Sequence, residues 1–379
     1  MTRAALLTVL LAIAAPAAAH ATVRIDGHGW GHGVGLSQYG AMGYAGQGHQ
    51  GFRWILGHYY PGTQVRTVKT ARIRVRLKAG AAQRVQGGKR IRGANGRSVA
   101  VKPTRTYRFT AWRGQVRVVA LANNRTVAHL PGPVRVTAGG TPLKLLGKAE
   151  NGVSDGSYRG ALTLSLDGTK LLAVDDVALE DYLLGVVAGE MPASWPAQAL
   201  AAQAVAARSY ALTHHGASLA FDVYANTRSQ VYGGVGAEAP AATAAVKATK
   251  KLAVVAADGR VAETLFHSSS GGRTAAVEEV FTSSPPIAYL QSVDDPYDAA
   301  SPYHDWTVTM TDADAQKQLG LLVPGQLTGI AVSATTPSGR ARIVHITGTL
   351  GAVDADASTV QTALGLRSTW FTIAMAPPA

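Results

Sequence analysis

From Arg72 to Lys78 the chain alternates cation and aliphatic side chain without a break, Arg72-Ile73-Arg74-Val75-Arg76-Leu77-Lys78. A period of two puts Ile73, Val75 and Leu77 on one face of a β-strand and the four cations on the other. Such a strand needs a core on its aliphatic side and water, a binding partner or complementary acids on its cationic side. Shorter runs from Thr106 to Ala111, Gln115 to Leu121 and Val134 to Thr137, separated by Gly, Pro and Asn turns, extend the pattern into a small basic β-rich domain over residues 66–149.

Charge is distributed as unevenly as the strand pattern implies. The 379 residues carry 36 Lys and Arg against 23 Asp and Glu, yet between Gly27 and Ala149 there are 21 of the cations and no acid. This asymmetry calls for an anionic partner or a complementary protein surface. No aromatic-interleaved basic motif of the nucleic-acid-binding kind accompanies it, so nucleic acid is not the expected partner. The chain opens with Met1-Thr2-Arg3, an apolar run from Ala4 to Ala15 and the small-residue sequence Ala19-His20-Ala21. That pattern over residues 1–21 is expected to be a secretory signal peptide. No later run reads as a transmembrane helix, so the mature protein is expected outside the cytoplasm at the cell wall, whose anionic polymers suit its charge. With no cysteine, neither a disulfide framework nor a thiolate metal site is available.

Residues 22–65 form a Gly/His-rich segment, Gly27-His28-Gly29-Trp30-Gly31-His32-Gly33-Val34-Gly35 and onward. Ser37 is placed to cap a short helix through about Ala45, and Phe52 to Tyr60 has helical spacing before Pro61-Gly62. Tyr158 to Leu166 and Leu171 to Val177 read as a hairpin turning at Asp167-Gly168. Leu179 to Val187 reads as an apolar helix with Glu180 and Asp181 in its first turn, where they suit the helix dipole. Ser194 is the expected N-cap, with Pro196 in the first turn, of an alanine-rich helix from Ala197 to about His214. A second runs from Ala241 to Leu252, and Leu319 to Ala374 returns to strands with a short helix near Thr359 to Leu364.

Several of these segments recur in order in one family. They are Tyr158-Arg159-Gly160, Leu179 to Val187, Gly189-Glu190-Met191-Pro192, Ala201 to Tyr210, Ser229 to Gly234 and Phe266-His267-Ser268-Ser269-Ser270-Gly271-Gly272. The chain resembles the stage II sporulation protein D/amidase-enhancer family, densely from Tyr158 to Trp306 and more loosely at Leu366-Arg367-Ser368-Thr369. Residues 150–379 are thereby expected to form an α+β catalytic domain, alanine-rich helices packed on mixed strands, beside the smaller basic β-rich domain. The family's Gly-His-Gly-Val-Gly and Ser-Gln elements usually lie near the C-terminus, whereas here they occupy Gly31 to Ala41. If the fold is shared, this segment has to reach the same place from the other end of the chain, as in a circular permutation.

The resemblance implies a lytic transglycosylase acting on peptidoglycan glycan strands, with Glu190 as acid and then base. The reaction can run with a single carboxylate, because the nucleophile is the sugar's own C6 hydroxyl and no water needs activating. From the residues alone, Glu190 lies between an apolar helix and Pro192, where partial burial raises a carboxyl pKa. The bland alternative is an acid that meets backbone amides of the next helix. Gln203 and Tyr210 share one helical face, while Arg208 points about 140° away from Gln203. Gln203 and Tyr210 are assigned to substrate or supporting hydrogen bonds, and Arg208 to an ion pair with Asp181 or Glu180.

His267, Ser268, Ser269 and Ser270 form a polar loop expected to recognise sugar, although a capped glycine turn serves equally for each serine. His32 and Gln38 are further candidates to line the site. His28 and His32 are spaced i, i+4 but lie among glycines rather than on a helix, and no H-E-x-x-H is present. No metal or other cofactor is expected. Neither a G-x-S-x-G elbow nor a G-x-G-x-x-G loop occurs, which disfavours a serine esterase and a dinucleotide enzyme. The rival to catalysis is a non-catalytic wall-binding protein that enhances a separate cell-wall amidase. A weaker third reading is adhesion or scaffolding.

Overall fold

The computed structural model describes residues 21–216, 218 and 220–376. The expected signal peptide therefore lies outside the described residues, apart from Ala21. The fold is α+β, with several β-sheets and eight α-helices among the described residues. No helix among them is long and apolar enough to cross a membrane.

Two compact units divide the chain differently from the expected segments 66–149 and 150–379. One unit comprises residues 28–304, and the other combines the described residues before His28 with those from Asp305 onward. In the second, Thr22–His28 is the middle strand of a sheet between Asp305–Thr311 and Phe371–Ala376. A meander of Leu327–Thr335, Ala341–Gly348 and Gly351–Asp356 and the helices Asp312–Leu319 and Ala357–Leu364 also belong to it. Val23, Ile25, Val344, Ile346 and Val360, all without exposed surface, sit at the centre of its core.

In the unit of residues 28–304 the alternating strand extends over Arg72–Gly80. It pairs antiparallel with Lys170–Ala178 in a seven-stranded sheet and buries Ile73, Val75 and Leu77. Its cations meet acids from later in the chain. Arg72 binds Asp176 at 2.6 Å, Arg74 binds Asp222 at 2.6 Å and Arg76 binds Glu150 at 3.0 Å. Arg135 on the strand Val134–Thr137 shares Asp176. The alternating strand is thus a paired interior strand whose three arginines are matched by acids within the protein, while Lys78 donates to Leu146 O at 2.8 Å. This pairing is why no boundary falls between Ala149 and Glu150: the aliphatic face and the cations of 72–80 both need partners beyond it.

The expected hairpin forms between Ala161–Asp167 and Lys170–Ala178, with Asp167 opposite Lys170. Tyr158 instead ends a separate strand, Ser154–Tyr158, in a six-stranded sheet. The helix expected from Leu179 runs on to Glu190, which is its last residue. The alanine-rich helix is Ala197–Thr213, with Pro196 rather than Ser194 at the N-cap and no side-chain capping bond. Its extended ψ of 140° lets Pro196, which has no N–H to lose, lead the chain into the helix. The second alanine-rich helix ends at Ala248, because Leu252–Val255 is drawn into a two-stranded sheet with Gln64–Thr67. Ala199, Ala202, Ala204, Ala206 and Ala207 are fully buried, and their small side chains let neighbouring helices approach closely.

Candidate functional site

The chain leaves the helix Leu179–Glu190 directly beside a pocket of about 550 Å³. Its wall includes Trp30, His32, Gln38, Glu190, Tyr210, Arg228, Val231, His267, Ser268 and Phe281. Among the described residues that line it, Glu190 is the sole carboxylate. Val231 N donates to Glu190 Oε1 at 2.6 Å, and the Gln38 side chain adds a second hydrogen bond. Burial pushes the Glu190 carboxyl up to about 7 against these two bonds, which favour the ionised form. An acid with that value is substantially protonated at neutral pH and can also release its proton there.

The Gly/His-rich segment reaches this pocket from far upstream. Leu36–Ser37 pairs in parallel with Phe266–His267, Tyr39 N donates to Ser268 O at 3.0 Å, and Trp30 and Ser269 exchange backbone bonds of 2.8 and 3.1 Å. Ser37 Oγ caps the helix Gln38–Gly46 by accepting from Gly40 N at 3.1 Å. Gln38 is therefore the first residue of a capped helix, a placement that fixes its side chain toward Glu190. Glycine is required at two points of the segment. A Cβ on Gly35, whose φ is +72°, would strike Leu265 O, and one on Gly40 would strike the Tyr59 hydroxyl and the Asp295 carboxyl.

The two pocket histidines differ in role. Val34 N donates to His32 Nδ1 at 3.0 Å, so His32 carries its proton on Nε2 and donates to Phe266 O at 2.9 Å. Both nitrogens of His32 are thus engaged in holding the segment together. His267 lies with its ring centroid 5.4 Å from that of His32 and donates to Val34 O at 3.2 Å, which puts its proton on Nδ1. Trp30 and Phe281, 43% and 38% exposed, supply apolar ring surface at the pocket.

The structure brings Glu190, Tyr210, His267, Ser268, His32 and Gln38 to one pocket, and it leaves three of the expected substrate-binding residues outside it. Gln203 is fully buried inside its helix packing, and neither amide atom has a hydrogen-bond partner. The shared face of Gln203 and Tyr210 is enclosed two turns before it opens at Tyr210, so it is not a ligand face along its length. Ser269 and Ser270 are also buried. Ser269 Oγ donates to Asp298 Oδ2 at 2.7 Å and Ser270 Oγ to Asp295 Oδ2 at 2.7 Å. They fasten the loop rather than line the pocket. Arg208, without exposed surface, pairs with Glu180 through Nη2 at 2.8 Å and Nε at 3.0 Å.

Two acids of this framework carry no local sequence signal. Asp298 accepts from Ser37 Oγ at 2.8 Å, Ser269 Oγ, Ser270 N at 3.0 Å and Gly271 N at 2.9 Å. Asp295 accepts from Tyr59 and Ser270, and burial pushes its carboxyl up to about 6, with neighbouring Asp298 adding to the rise. Together they tie the Ser37 cap to the serine loop under the pocket. Arg228 has no such signal either. It lines the pocket while pairing with Glu150 at 2.7 Å and lying 3.8 Å from the Tyr224 ring centroid.

Residues 167–255 match the family model described as "Stage II sporulation protein". The chain is 32% identical over 193 residues to stage II sporulation protein D of Bacillus subtilis, covering 46% of this chain and 55% of that protein. It is 38% identical over 143 residues to the amidase enhancer of the same organism, covering 38% of this chain and 19% of the enhancer. An uncharacterized protein of Brachyspira hyodysenteriae is 38% identical over 128 residues, a third of each chain. The chain thus spans about half the length of the sporulation protein and less of the others. This shared region, which contains Glu190 and both alanine-rich helices, is where the chain is similar to the stage II sporulation protein D/amidase-enhancer family.

Proposed function

We propose that the chain is a peptidoglycan lytic transglycosylase of the cell wall that cleaves MurNAc-GlcNAc glycan strands with Glu190 as its acid and base. The observation that carries this reading is a lone carboxyl, pushed up to about 7, facing a pocket large enough for sugar and flanked by the rings of Trp30 and Phe281. Neutral Glu190 donates its proton to the glycosidic oxygen as the C1–O bond breaks. The resulting carboxylate then takes the proton of the MurNAc C6 hydroxyl as O6 bonds to C1, which closes a 1,6-anhydro ring and restores the acid. No second carboxylate is needed, since the nucleophile comes from the substrate. Gln38 and Val231 N orient the carboxyl, and the backbone donor stabilises the charge it acquires between the two steps.

Glu190→Gln tests this directly, because the amide can still accept from Val231 N but cannot cycle a proton. Purified glycan strands incubated with wild type should yield 1,6-anhydro ends by mass spectrometry, and the variant should bind the strands without producing them. Equal release by the two proteins would remove Glu190 from the reaction. The likeness to a protein named amidase enhancer supports a second reading, a wall-binding partner that stimulates a separate amidase without cleaving glycan. In that case wild type alone yields no products, and Glu190→Gln stimulates an added amidase as well as wild type does.

A further inference from the structure

The six-stranded sheet runs in the order Arg125–Pro131, Gln115–Ala120, Thr106–Trp112, Ala82–Gln86, Leu143–Lys148 and Ser154–Tyr158. Its inward positions, among them Val85, Phe109, Val116, Val118 and Leu145, are buried. By the two-residue period Arg84, Arg108, Arg117 and Lys144 stand on the opposite face. Arg84 lies directly across from Arg108, and Arg117 is across from Thr110 on the same strand as Arg108. Neighbouring strands are about 4.8 Å apart and alternate residues about 7 Å, so these cations form a grid at that spacing.

No acid of the sheet is in ion-pair contact with the grid. The first five strands lie in the stretch without any Asp or Glu, and Asp155 on the sixth is turned to Gly147 N at 2.7 Å. Among the described residues, no ion pair involves Arg84, Arg108, Arg117 or Lys144, in contrast to Arg72, Arg74, Arg76 and Arg135 on the other sheet. Arg108 and Arg117 bond only to neutral oxygens, those of Asn124 at 3.3 Å and Thr126 at 3.0 Å. Like charges directly opposite each other weaken a strand pair. The neighbouring Lys78 registers the same field: burial pushes its ammonium down, and Arg84 pushes it further, with Asp155 in opposition. A face that holds such a pair without a protein counter-charge is complementary to a repeating anion.

We infer that this sheet face binds a linear phosphodiester polymer of the cell-wall type, at a site separate from the Glu190 pocket. The guanidinium forks of Arg84, Arg108 and Arg117 match phosphate oxygens, and Thr106, Thr110 and Gln86 supply polar groups between them. Single-stranded nucleic acid is the poorer fit, because it needs successive free ring faces on which bases stack. The rings here are Trp112 and His129, which stack on each other at 4.0 Å.

The test is fluorescence anisotropy of a labelled poly(glycerol phosphate) oligomer titrated with the full chain across a range of salt. Binding should weaken with salt, and the pair Arg84→Gln/Arg108→Gln should lose at least about tenfold in affinity. The same pair should flatten the log–log salt slope by about 1.4, on the order of 0.7 for each phosphate no longer neutralised. The pair Arg90→Gln/Arg97→Gln, of equal charge change but outside this sheet, should bind nearly as wild type. Equal losses in both pairs would reduce the effect to net charge and overturn the site, as would unaltered binding by the first pair. Tighter binding of single-stranded DNA or of anionic lipid vesicles than of poly(glycerol phosphate) would overturn the occupant. Glu190→Gln should bind as wild type, so failure of this site is separable from failure of the proposed reaction. If the first pair does not fold, Arg117→Gln alone should still lose affinity, and no loss there overturns the site.

Discussion

Ser37 Oγ donates to Asp298 Oδ1 at 2.8 Å while it accepts from Gly40 N at 3.1 Å, so one hydroxyl both caps a helix and anchors it to a buried acid. The next residue, Gln38, reaches Glu190. Ser37→Ala removes the cap and leaves Asp298 short of a donor, which should cost about 2–3 kcal/mol of stability. Chemical denaturation checks this, and a variant as stable as wild type would show the cap to be idle. Release of Gln38 should also move the Glu190 titration further up.

Under the proposed reaction, Glu190 must start protonated. The rate at low substrate should be level at acid pH and fall as pH rises through about 7, the value to which burial pushes this carboxyl. A pH–rate profile of anhydro-end release measures the limb. A fall centred in the ordinary carboxylate range would contradict a buried acid.

Asp295 gives a pH effect on stability rather than rate. Its folded-state value is raised to about 6 from 3.8, so the folded protein binds its proton more tightly than the unfolded chain does. Stability from this group is therefore fully present below about 4 and is lost as pH rises through about 6. Asp295→Asn removes the charge while keeping an acceptor for Tyr59. The change in melting temperature caused by the substitution should be more favourable at pH 8 than at pH 4, and equal changes at both would refute the assignment.

Arg208 has no exposed side-chain surface and depends on Glu180 for its counter-charge. Glu180→Ala should cost about 3–5 kcal/mol because it leaves a buried guanidinium unpaired. Replacing both partners with apolar residues of similar volume should cost less than the single change. Thermal unfolding of the single and double variants decides between these outcomes.

Local patterns carry much of the architecture. Val134–Thr137 and the turn at Asp167-Gly168 follow from alternation and turn chemistry, and the helices around Glu190 follow from apolar spacing. Gln203 and the serines are harder to read. A polar side chain on a periodic face or in a glycine loop has the same local signature whether it meets a ligand or a buried neighbour. Arg72, Arg74 and Arg76 pose the same difficulty, since a cationic strand face looks alike before and after acids at positions 176, 222 and 150 arrive to pair with it.

By itself the sequence set the strand and helix patterns and exposed the acid-free stretch from Gly27 to Ala149, because each depends on residue type and spacing along a short length of chain, while Glu190 was singled out by the family resemblance of the segments around it. Only the tertiary structure decided that the segment around Gln38 shares a pocket with Glu190, that Asp298 holds Ser37 across 261 residues, and which arginines are neutralised. Those contacts arise from closing long loops and packing side chains that local propensity does not couple.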